Sequence, residues 1–89
     1  MEVVERYEEL RHSGTHTAAQ AMAVACSSSD PVDAVAHGLI ALAVMRRHVE
    51  EGKLRADDCE RVAAEMVGRL RARLGEEASA LLGMVPVVE

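Results

Sequence analysis

Residues 34–45 read "AVAHGLIALAVM", twelve positions with one ionisable side chain, His37, and no Phe, Trp or Tyr. A surface helix needs one apolar stripe facing the core, so a segment that is apolar around its whole girth belongs inside. Its flanks say what kind of element carries it. "SSSDP" (27–31) places Asp30 as an N-cap and Pro31 at the first helical position, where the missing N–H costs nothing. Asp33 adds negative charge to the first turn, and Gly52 is the stop signal. The stretch therefore predicts a helix over 31–51, about 31 Å long at 1.5 Å per residue.

Three stripes run along this helix. Val32, Val35, Leu39, Leu42 and Val49 make a large-residue seam interrupted by Arg46. Ala34, Gly38 and Ala41 make a small-residue seam. His37, Ile40 and Val44 make a third that continues toward His48. A following helix, 56–74, starts after the turn "GKLR", carries Asp57 and Asp58 in its first turn and stops at Gly75. Its stripe is Cys59, Val62, Ala63, Met66, Leu70 and Leu74, and its acid-first i, i+4 pairs, Asp57 to Arg61 and Glu65 to Arg69, mark the solvent side.

Upstream, "EVVERYEEL" places Val3, Val4, Tyr7 and Leu10 on one face of a helix over 2–12. Gly14 breaks it, and "TAAQ" (17–20) is a capping box for an alanine-rich helix over 17–27. "EEASALL" predicts a short helix over 76–83, followed by an extended apolar tail, 84–89. The expectation is one all-α domain over 1–89, a bundle of four to five helices around a central antiparallel hairpin of 31–51 and 56–74.

Composition sharpens the problem of covering three stripes. The chain has no Phe or Trp, one Tyr, one Ile and eight Leu among 89 residues. Aromatic rings bury the most area per residue, so this core must come from many small contacts. Helices 56–74 and 17–27 can cover two seams of helix 31–51. The third is expected to meet a second copy across a two-fold axis, making a homodimer with Val35, Gly38, Leu39 and Leu42 in the interface. The alternative is that residues 1–12 and the C-terminal segment close the helix off within one chain. The tail residues Val85 and Val87, β-branched and next to Pro86, are also assigned to an interface.

The chemistry available is sparse. Glu8, His12 and His16 would align at i, i+4, i+8 on a continuous helix, a face suited to zinc or iron, but "SGT" between the histidines breaks it. A metal- or small-ligand-binding role on these three residues is the runner-up reading. Cys26, His37, His48 and Cys59 recur every eleven residues, yet His37 and His48 stand about 16 Å apart along one helix, too far for one ion. His37 reads as a packed histidine with one ring nitrogen bonded to a neighbour. Ser27–Ser29 read as turn and cap residues, and the adjacent carboxylate pairs diverge on helices rather than sharing a site. No catalytic constellation is recognisable, and no cofactor is expected.

A net charge of −5 argues against an ordinary nucleic-acid binder, since phosphate neutralisation needs a basic face. The basic cluster of Arg61, Arg69, Arg71 and Arg73 lies near a helix C-terminus, where cations suit the dipole. The twelve-residue apolar run is too short to span a bilayer. Two distant cysteines and a charged start, "MEVVERYEELR", predict a reducing, cytoplasmic setting with free thiols. Nine Arg to one Lys suggests a high-GC bacterial or phage genome. Together these point to a small non-catalytic accessory, adaptor or inhibitory subunit. It would dimerise and bind a larger protein through helix surfaces and acidic termini.

Overall fold

Two of the helices begin at a side-chain N-cap supplied by the sequence, Thr17 and Asp30. The computed structural model describes residues 2–13 and 17–76. They form α1 (Glu2–Ser13), α2 (Ala18–Ser27), α3 (Pro31–Glu50) and α4 (Ala56–Leu74). The chain is all-α over these residues. At α2 the capping box is complete: Gln20 N donates to Thr17 Oγ1 at 3.2 Å, and Thr17 N donates to Gln20 Oε1 at 3.1 Å. At α3, Val32 N donates to Asp30 Oδ1 at 3.1 Å, with Pro31 in the first turn. Gly75, at φ 65°, ends α4 by donating its N–H to the Arg71 carbonyl at 2.8 Å. The predicted short helix over 76–83 and the tail, with Val85 and Val87, lie outside the described residues from 77 onward.

α3 is the hub. It packs against α1, α2 and α4, and α2 also touches α4. All eight residues from Ala34 to Ala41 are buried. One apolar cluster joins Val3 and Leu10 of α1, Ala21 and Ala25 of α2, Val35, Leu39 and Ile40 of α3, and Met66 and Leu70 of α4. Full burial of eight consecutive helical residues requires cover on every side, which three surrounding helices provide.

That cover corrects the expectation for the third stripe. Ile40 and His37 are only 6% and 4% exposed within a single copy. Arg6 of α1 pairs with Asp33, one turn before His37, so α1 lies along this stripe. Val3 and Leu10 are buried in the same apolar cluster as Ile40, with Tyr7 half-buried against it. Val35, Gly38 and Leu39, expected to face another chain, are likewise spent on the chain's own core, and Leu42 is half-buried against it. The geometric reason for placing a second copy over residues 34–41 is gone. α1 supplies this cover although most of its residues are polar, through the buried Val3 and Leu10.

The small-residue stripe behaves as its composition implies. A Cβ placed on Gly38 would lie 3.4 Å from Leu70 Cδ1, 3.7 Å from Met66 Cε and 3.9 Å from Ala25 Cβ. Gly38 thus sits where α2 and α4 converge on α3. Among the described residues, no helix is long and apolar enough to cross a membrane.

Candidate interaction surface

The alanines that let α2 approach α3 leave a trough on α2's outer side. Ala21 and Ala25 face inward and are fully buried. The outward neighbours Ala19 and Ala23 are too short to reach α4, and a groove of about 280 Å³ opens between the two helices. Met22 and Cys26 line it from α2, and Val62, Glu65, Met66 and Arg69 line it from α4. Met66 forms its floor at 3% exposure, while Met22 and Val62 are half-buried. The lining is apolar except at Glu65 and Arg69. This shape can accept an apolar side-chain ridge, with one acid and one base available at the edge.

The two ends of the groove are held differently. Near α2's C-terminus, Arg73 Nη2 donates to the Ala25 carbonyl at 2.7 Å and Nη1 donates to the Cys26 carbonyl. These are carbonyls that a helix end leaves without an intrahelical partner, and a guanidinium satisfies two at once. Arg73 therefore clamps α4 to the end of α2, a role nothing in its local sequence signals.

The basic cluster expected on α4 separates into distinct tasks. Arg73 caps α2, Arg61 pairs with Asp58 at 2.9 Å, Arg69 edges the groove, and Arg71 is exposed. The partner of Arg61 is Asp58 at i, i+3 rather than the expected Asp57 at i, i+4. Both spacings lie on neighbouring surface positions, and the side-chain rotamers choose between them.

A second cleft, about 340 Å³, lies where α3 meets the start of α4. Arg46, Glu50 and Glu60 make half of its lining, with Val49, Ala56 and Cys59 between them. Cys59 is buried and Cys26 half-buried, and both thiols are free.

His37 is packed and bonded. Its Nδ1 lies 2.8 Å from the Asp33 carbonyl oxygen, and a carbonyl only accepts, so Nδ1 carries the proton. The same nitrogen is 3.6 Å from Asp33 Oδ1. Asp33 in turn accepts from Arg6 Nε at 2.9 Å. Arg6 also donates to Glu9 at 3.1 Å. The Asp33 bond first, and the Glu9 bond second, raise the guanidinium's pKa above its ordinary value.

The metal-ligand candidates are brought together only in part. Glu8 Oε2 and His12 Nε2 are 3.6 Å apart on an exposed face of α1, while His16 lies outside the described residues. Among the described residues, no group of three His, Cys, Asp or Glu side chains is arranged to hold a metal ion. The groove itself was not anticipated from the sequence. Its only trace there is the run of alanines on both faces of α2, which promises close approach on one side and leaves the other shallow. Compared with family models, curated proteins and solved structures, the chain matches none.

Proposed function

We propose that this chain is a small non-catalytic protein–protein interaction module, an accessory, adaptor or inhibitory subunit of bacterial or phage origin. It folds as one domain around an antiparallel α3–α4 hairpin and works through the outer face of α2 and α4. The observation that carries this reading is the apolar groove between those helices. A chain with a single aromatic residue in 89 leaves Met22 and Val62 half-exposed over Met66 instead of closing the core on them. Methionine thioethers adapt to differently shaped partners, which suits a contact surface. Exposed acids on α1, Glu2, Glu5 and Glu9, offer a second, electrostatic complement to a basic surface. Free thiols at Cys26 and Cys59 agree with a reducing, cytoplasmic setting.

Site-specific photo-crosslinking tests the reading. A photoreactive side chain at Ala23, in the groove, should give one discrete polypeptide adduct in cells. The same group at Glu9, on α1, should not give that adduct. Equal adducts at both positions, or none at Ala23, would overturn it.

A further inference from the structure

The edge of the groove carries a charge pattern complementary to itself. Glu65 and Arg69 are both exposed and stand one turn apart on α4. Among the described residues, no ion pair joins them to each other or to another side chain. We infer that the groove's occupant is a second copy of this chain, with α4 crossing its counterpart antiparallel about a two-fold axis level with Val67. This rests on the reading of the α2–α4 face as the contact surface.

The orientation follows from register. Glu65 and Arg69 lie equally far on either side of Val67, so a two-fold axis perpendicular to α4 at that level sets Glu65 against Arg69 of the partner subunit, and Arg69 against Glu65 of the partner subunit. A parallel crossing would oppose acid to acid and base to base, which is unfavourable. The exchange is reciprocal, as an isologous interface demands. Met22 and Val62 flank the charged pair and supply the apolar contact, over the floor formed by Met66. α1, which carries the exposed acids Glu2, Glu5 and Glu9, packs on α3, whereas the groove is built from α2 and α4. The acidic surfaces of two copies are thereby kept off the contact, although each copy carries a net charge of −5.

Sedimentation and light scattering of the purified full chain, over a wide concentration range, read the outcome. The wild type should reach twice the mass of one chain. Glu65→Arg and Arg69→Glu each place like charges in both pairs across the axis. Each should weaken self-association by about three- to tenfold at low salt, and less at high salt. An equimolar mixture of the two single variants should form heterodimers in preference to either homodimer. The double variant Glu65→Arg/Arg69→Glu should regain wild-type affinity. Both side chains are exposed, so unchanged circular dichroism confirms that folding is intact in every variant. A wild type that keeps the mass of one chain at all concentrations overturns the inference, as does a dimer indifferent to both single swaps. If the chain stays single while Ala23 still gives its discrete adduct, the second copy is excluded and the interaction module stands.

Discussion

Arg73, in the last turn of α4, donates from Nη2 to the carbonyl oxygen of Ala25 at 2.7 Å, across 48 positions of sequence. Its Nη1 reaches the next carbonyl, that of Cys26. One side chain thus closes α2 and fixes where α4 lies against it, which sets the width of the groove between them.

Arg73→Ala should destabilise the chain by about 1–2 kcal/mol, the range of a charge-assisted hydrogen bond reduced for its exposed position. Arg71→Ala, at an exposed neighbouring position, should stay within about 0.5 kcal/mol. Urea unfolding followed by circular dichroism compares the two. Equal losses would show that Arg73 acts only through the helix dipole, as any cation at that end of α4 would.

Gly38 and Leu70 form a packed pair with room for one more carbon. The contacts that a Cβ at Gly38 would make, from 3.4 to 3.9 Å, are ordinary van der Waals distances, and two of the three atoms are flexible side-chain ends. Gly38→Ala should therefore be neutral, or stabilising by about 0.5 kcal/mol, because alanine loses less backbone entropy in a helix. Gly38→Leu should cost about 1–3 kcal/mol through overpacking. Leu70→Ala, at 1% exposure, should cost about 2–5 kcal/mol. The double variant Gly38→Leu/Leu70→Ala should lose clearly less than the sum, since the new side chain fills the void left by the old one. Strict additivity in thermal melts would mean that the two positions do not share space.

Val3, fully buried, tests whether α1 is structural cover for α3. Val3→Asp places a carboxylate in the buried apolar cluster, at a cost of several kcal/mol. Loss of a cooperative melting transition is the expected result. A melt like that of the wild type would mean that α1 is dispensable and that α3 is covered some other way.

Arg6 ties α1 to α3 through Asp33, and its linkage to pH has a definite sign. A cation whose pKa is raised on folding contributes stability at every pH below its unfolded value and loses that contribution only as pH rises through the folded value. For a guanidinium both lie far above neutrality. Arg6→Gln should lower the melting temperature modestly and by the same amount across the neutral range. High salt should shrink the difference, because the pair is exposed. A loss confined to one side of neutrality would assign the effect to a different titrating group.

The elements themselves were legible locally. Asp30 and Pro31 start α3, Thr17 and Gln20 start α2, and Gly75 stops α4, each through a hydrogen-bond or dihedral requirement met within a few residues. The apolar girth of residues 34–45 likewise marked α3 as the interior helix, and eight of those residues, 34–41, are buried in succession. How the helices share that interior was a tertiary matter. Hydrophobic cover is non-directional and depends on which faces meet, so periodicity identified the stripe at His37 and Ile40 without saying that α1 closes it. The α2–α4 groove and the Arg73 cap depend on atoms nearly fifty residues apart. No local pattern encodes such contacts; they exist only once chain geometry has brought two helix ends together.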